Sequence, residues 1–339
     1  MAKAKKRSRL LWGCSALAVL SFATAFISGM DKHTRKQAGL VGKVVLPEFE
    51  ADVTAADDIS VTTKEGTYHL TRDGRDWFLS ERGRYPIQLT AIANLSEALA
   101  SMTFTRQMTV DPKKFDRLGL GDPLEGGTGA LMQVKDADGN TLVNMVVGFK
   151  NGSAYIRKPD EMQTWAVDAS IFPPLQTPAR WLDLDILEIG AEDIARVQVE
   201  FKDGRSSYGL KVRGDAPGQF ELTEPYEDAL LIASFAPNPP ALALSRLVPL
   251  DVAPRSEIKG RLRAIHRTIT HQGWVIEVEL IEDKGKYWAV FSQGLEVERE
   301  EISDQIDELE DKVAGWAFEI SNMDFNIMTT ALNDIAVIK

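Results

Sequence analysis

The chain has 339 residues, 44% hydrophobic and 26% charged, which excludes wholesale disorder and favours two globular units over one. Its net charge of −11 is uneven: residues 1–30 hold Lys3, Lys5, Lys6, Arg7 and Arg9 and no acid, leaving 34 basic against 50 acidic residues in the body. A body this acidic repels phosphate backbones, so no nucleic-acid partner is expected, and the lone Cys14 excludes an intramolecular disulfide.

Residues 1–9 form a basic tail, and 10–30 run uncharged for 21 residues. At about 1.5 Å per residue such a helix spans a hydrocarbon layer of about 30 Å. The positive-inside rule then predicts a single-pass anchor in the cytoplasmic (inner) membrane, with the N-terminus inside and the body extracytoplasmic. The same run also reads as a cleaved signal peptide with Ala23-Thr24-Ala25 as its small-residue site. Its apolar continuation through Phe26 and Ile27 favours the anchor, and too little apolar core precedes Cys14 for a lipoprotein. Residues 31–46 are read as a juxtamembrane linker.

From there the pattern shortens to strands. Ile59–Thr63 and Thr67–Thr71 flank Lys64-Glu65-Gly66, and Asp76–Ser80 follows Asp73-Gly74. Leu89, Ile92, Leu95, Leu99 and Met102 then recur at helical spacing. Ala130–Val134, Leu142–Val147, Ala154–Arg157 and Trp165–Val167 complete a meander. The same order returns in Ile194–Phe201, Tyr208–Val212 and Phe220–Leu222, a helical stretch over Ala241–Leu247, and a second meander ending at Trp316–Ile320. Trp165-Ala166-Val167-Asp168 and Trp316-Ala317-Phe318-Glu319 repeat one Trp-Ala-apolar-acid pattern. Matched points, including Val110 with Val252, lie 134 to 151 residues apart. The expected fold is therefore α+β: two tandem, similar units of antiparallel meander sheets with packed helices, over 47–187 and 188–339.

The second unit carries an extra segment, 296–312. Ile302, Ile306, Leu309 and Val313 step by four, three and four, while Glu296–Asp311 holds nine carboxylates and one arginine. That predicts an amphipathic helix with an acidic outer side. Its exposed carboxylates, Glu300, Asp304, Asp307, Glu308 and Asp311, form a candidate docking face for a basic partner.

No reaction emerges. His33 lies in the linker, His69 in a strand without a nearby acid or serine pattern, and His266 and His271 at odd spacing. Leu118-Gly119-Leu120-Gly121-Asp122-Pro123 lacks the strand-to-helix context of a phosphate loop. No catalytic, metal or cofactor-binding residue is assigned, and no cofactor is expected. Trp77, Trp165, Trp181, Trp274, Trp288 and Trp316 are read as sheet core. A sugar-stacking platform of these indoles, giving an envelope glycan-binding module, is the alternative; a carboxylate-dependent hydrolase is the weaker one.

Several patterns in order resemble the bacterial domain-of-unknown-function 4340 family. They are Tyr68-His69-Leu70, Trp77-Phe78-Leu79, Leu118-Gly119-Leu120-Gly121-Asp122-Pro123, Gly148, Tyr155-Ile156-Arg157, Trp165-Ala166-Val167-Asp168 and Trp181-Leu182-Asp183. The resemblance covers roughly 45–190 well and the second half more loosely; Phe115 departs from the tyrosine that relatives tend to carry nearby. It implies a membrane-anchored extracytoplasmic protein, often encoded beside an ABC-type exporter and a gliding-motility-like auxiliary subunit. Implied partners are thus the bilayer, through residues 10–30, and an ABC transporter permease or auxiliary subunit. The expected role is a non-enzymatic accessory or scaffold protein.

Overall fold

The structure, a computed structural model, describes residues 39–49, 55–168, 172–214, 216–296 and 303–338. The tail, the proposed span at 10–30, Cys14 and His33 lie outside them. Among the described residues no helix is long and apolar enough to cross a membrane.

Chain order gives β1 (Asp58–Thr63), β2 (Gly66–Asp73), β3 (Asp76–Leu79), β4 (Tyr85–Pro86), α1 (Leu89–Ser101), β5 (Thr103–Gln107), β6 (Ala130–Lys135), β7 (Thr141–Lys150), β8 (Ser153–Arg157) and β9 (Trp165–Asp168). There follow β10 (Ile194–Phe201), β11 (Tyr208–Arg213), β12 (Ala216–Leu222), β13 (Leu230–Leu231), α2 (Asn238–Ala241), β14 (Asp251–Pro254) and β15 (Arg261–Thr270). The chain closes with β16 (Trp274–Asp283), β17 (Lys286–Leu295), α3 (Ser303–Val313), β18 (Trp316–Ile320), α4 (Asn322–Met328) and β19 (Ala336–Val337). The architecture is α+β, sheet-rich and mostly antiparallel, with few helices.

Two compact units result. Of the described residues, one holds those up to Arg75 together with those between Leu89 and Gln176; the other holds Asp76–Gln88 together with those from Thr177 onward.

In the first unit the strands run β2-β1-β6-β7-β8-β9-β5. Gly66, at φ +139, opens β2 after the Lys64-Glu65 turn, and Thr62 and Thr67 hydroxyls meet 2.8 Å apart across the hairpin. Val61, Leu70 and Met132 are fully buried on one face. Helix α1 lays Ile92, Leu95, Ala98 and Leu99 inward, as its three-and-four spacing requires. The outer side of β5 is not left bare. The Gly42 N–H donates to the Phe104 carbonyl at 2.7 Å and the Val45 N–H to the Met102 carbonyl at 2.8 Å, which blunts an edge that would otherwise invite another strand.

In the second unit the strands run β12-β11-β10-β15-β16-β17-β18-β14, all neighbours antiparallel. Strand β10 buries Val197, Val199 and Phe201 in alternation, and a bulge between Ile194 and Arg196 shifts the register so that Ile194 is buried as well. Ile276, Val278, Leu280 and Phe318 are fully buried. The β3–β4 hairpin belongs to this unit: Arg82 grips Asp251 with two 2.7 Å bonds, and Tyr85 stands edge-on to Trp316 at 5.0 Å.

Two sequence expectations change. The helix over Ala241–Leu247 is instead α2 at 238–241 and a separate 3-10 turn at Leu244–Arg246. Pro239 and Pro240 sit inside the first helical turn, where their missing N–H groups cost nothing, and the helix stops one residue after them. The helix expected over 296–312 is described only from Ser303, and 297–302 lie outside the described residues.

Candidate docking face and its clefts

Helix α3 stands on the connection between β17 and β18. Leu309 and Val313 are buried at 2% exposure each, and Ile306 is half-buried. The Gln293 amide donates to the Ile306 carbonyl at 2.5 Å while accepting from the Trp274 indole at 2.9 Å, so a polar bridge fixes the helix over the sheet. Arg196 clamps both oxygens of Glu296 where the connection leaves β17. Asp304 in the first turn and Lys312 in the last suit the helix dipole.

The opposite side is acidic. Asp304, Asp307, Glu308 and Asp311 are all exposed, as the residue spacing predicts; Glu300 lies outside the described residues. The one base, Lys312, is committed: its ammonium reaches Glu308 at 2.9 Å and the Asp185 carbonyl at 3.0 Å. Beside α3 opens a cleft of about 530 Å³ whose lining includes Asp185, Glu188, Glu192, Asp193 and Glu308. A second cleft of about 630 Å³, lined mostly by apolar residues, lies on the other side of the 185–187 segment. Neither cleft is legible in the sequence, because the facing walls lie about 120 positions apart in the first and about 60 in the second.

The histidines are placed differently from one another. His69 has an acid after all: Asp58 Oδ2 lies 3.3 Å from its Nδ1, on the diagonal of the β1–β2 ladder where Ser60 faces His69. The hairpin register about Gly66 was the signal that could have found it. This pair is a third or more exposed and is a surface contact. His266 is fully buried with Nε2 2.9 Å from the Pro240 carbonyl; burial pulls its value from 6.5 down to about 4, so the imidazole is neutral and donates that bond. His271 is exposed in the turn after β15. Among the described residues no group of three or more His, Cys, Asp or Glu side chains is placed to hold a metal ion.

The tryptophans are core. Trp77, Trp165, Trp181, Trp274 and Trp288 are at most 7% exposed, and Trp316 is half-buried. The glycine loop is a packing device. Gly119, at φ +70, caps the 3-10 turn Pro112–Leu118, and a Cβ on Gly148 would lie 2.3 Å from the Gly119 carbonyl oxygen. Asp116 holds the loop shut by accepting from the Thr128 N–H at 2.9 Å and its hydroxyl at 3.0 Å.

Comparison with known families matches residues 77–234 to the model described as Domain of unknown function (DUF4340). Residues 77–234 belong to the DUF4340 family. Comparison with curated proteins finds no match. The DUF4340 stretch takes in the glycine loop, Trp165 and Trp181 and runs through β10 to β13, while α3 and its acidic face lie beyond it.

Proposed function

We propose that this chain is a membrane-anchored, extracytoplasmic accessory protein that performs no chemistry of its own and docks a basic partner through α3. The exposed row of Asp304, Asp307, Glu308 and Asp311 carries this reading, since burial of Leu309 and Val313 holds the row rigidly outward and Lys312 alone offsets it. A fixed acidic face raises the encounter rate with a basic surface and disfavours acidic competitors. The uncharged run 10–30 supports the anchor, and the resemblance to membrane-anchored relatives encoded beside ABC-type exporters supports a transporter subunit as the partner.

The scaffold itself is a duplicated unit in this reading. The orders β2-β1-β6-β7-β8-β9-β5 and β11-β10-β15-β16-β17-β18-β14 coincide strand for strand, and the repeated Trp-Ala-apolar-acid pattern opens β9 in one and β18 in the other.

The tagged full chain, purified from its own cells in mild detergent, should bring down a membrane protein. That protein should be lost when Asp304→Asn, Asp307→Asn, Glu308→Gln and Asp311→Asn are combined. Equal recovery by both chains removes the docking role of α3. Separately, a periplasm-dependent phosphatase fused after Lys339 should be active; an inactive fusion removes the anchor.

A further inference from the structure

The second unit holds an apolar cleft and an apolar ridge, each without a protein partner among the described residues. The cleft of about 630 Å³ lies between two extended segments, 182–187 and 247–250, with Leu182, Leu184, Leu187, Leu247, Val248 and Leu250 in its lining. Val248 and Leu250 are 67% and 50% exposed. Beyond the bridge at Leu182 neither segment belongs to a strand, and among the described residues nothing accepts from the backbone N–H groups of residues 184–187. A helix uses its backbone groups internally and could not satisfy those donors; an extended chain with apolar side chains at alternate positions could.

The ridge has that chemistry. Strand β13 pairs with β19 on one side, and its other side has no strand among the described residues. Leu230 and Ile232, two residues apart and so on one face, are 73% and 58% exposed. Phe235 is 66% exposed, and Val337, directly across from Leu230, is 53% exposed. Clustered large apolar side chains of this kind mark an interaction surface, whereas isolated ones do not.

We propose that the free edge of β13 in one copy of the chain lies in the 182–187/247–250 cleft of a second copy. Charge favours this pairing. Glu227 and Asp228 lead directly into the ridge, and Arg180 is an exposed lining residue of the cleft. The other charged lining residue, Asp185, has Lys312 3.0 Å from its carbonyl. The remaining acidic surface repels a second copy, which confines association to this contact. Ridge and cleft are different surfaces, so the contact either closes reciprocally into a pair or propagates.

The test uses full-length chain in a Cys14→Ser background. Ile232→Cys and Val248→Cys are made as separate proteins, both at exposed sites that leave the cores intact, with Lys64→Cys as an exposed control on the first unit. Mixing the Ile232→Cys and Val248→Cys proteins under mild oxidation should give several-fold more disulfide-linked pair than either alone or than Ile232→Cys with Lys64→Cys. Arg180→Glu should reduce that yield, and light scattering should show Ile232→Asp shifting the full chain toward monomer. Cross-linking no greater than the Lys64 control, or a wild-type chain that stays monomeric at every concentration, overturns the proposal. Neither result bears on the anchor or the acidic face, whose tests are separate.

Discussion

Trp165 and Trp316 begin the same four-residue pattern and the same strand in two sheets, yet they finish in different surroundings. Both strands pair outward with a short return strand in equivalent register, Val167 opposite Phe104 and Phe318 opposite Val252. Trp165 is 4% exposed and leans on the Phe104 ring at 4.7 Å. Trp316 is half-buried and takes the edge of Tyr85, while a Cβ on Gly83 would come within 3.3 Å of its ring. The pattern specifies strand and register; the neighbours supplied by distant chain specify burial.

The largest expected effect separates the two. Trp165→Ala should cost about 3–5 kcal/mol, the range for emptying a well-packed aromatic site, and Trp316→Ala about half as much. Because two units need not unfold together, hydrogen exchange should report each one separately. Trp165→Ala should raise exchange in β5, β8 and β9, and Trp316→Ala in β14 and β18. Equal losses would mean that burial does not distinguish them.

The two ladders also differ farther inward from the tryptophans. Val167 leads through Ala154 and Phe149 into β7 and from Val147 to Ala130; Phe318 leads through Ala289 and Leu280 into β16 and from Val278 to His266. The inward face of β6 thus carries Ala130, Met132 and Val134, whereas β15 carries His266, Thr268 and Thr270. Acid should weaken the second unit for this reason. The folded-state value of His266, about 4, lies below its ordinary 6.5. Its stabilising contribution is therefore complete above pH 6.5, falls as the pH drops through that window and is gone below about 4, a loss of about 3 kcal/mol. His266→Leu should be less stable at neutral pH, since the Pro240 carbonyl loses its donor, and should show a flatter profile between pH 6.5 and 4. Parallel profiles for the two proteins would remove His266 as the cause.

Much of this was legible in the sequence where local chemistry and tertiary need agree. The Lys64-Glu65-Gly66 turn, the period of α1, the alternation of β10 and the inward Leu309 and Val313 of α3 each declare themselves within one element. Strands β5 and β14 do not. Thr103–Gln107 buries only Phe104, and Asp251–Pro254 ends in a proline that only an edge strand accepts. Their pairing comes from β9 and β18. Val252 accordingly corresponds by ladder to Phe104, not to Val110, which precedes a 3-10 turn. Of the candidate site, the acidic helix face was readable from spacing. The clefts beside it were not, because Leu182-Asp183-Leu184-Asp185 alternates like a strand yet joins no ladder beyond Leu182, and 247–250 is too short to show a period.

The smallest effect tests one rung of that ladder. Gly148 in β7 falls opposite Tyr155, and the position reached by the same count in β16 is Glu279, opposite Val290. At Gly148 the glycine loop lies on the strand itself, so an added methyl would meet the Gly119 carbonyl oxygen at 2.3 Å and the Leu118 carbonyl oxygen at 2.6 Å. Those are backbone atoms and cannot rotate away. The loop also roofs a satellite core of Phe115, Leu120 and Val146, with Arg157 5.0 Å above the Phe115 ring. Lifting it would expose Leu120, which is fully buried. Gly148→Ala should therefore cost about 1–3 kcal/mol, as overpacking does. Among the described residues no loop lies on Glu279, whose carboxylate is about a third exposed and 3.5 Å from Arg255, so Glu279→Ala should stay within about 0.5 kcal/mol. Urea midpoints of the two variants decide the matter: if Gly148→Ala is as harmless as Glu279→Ala, the loop is not seated on β7, and the glycines serve turn geometry alone.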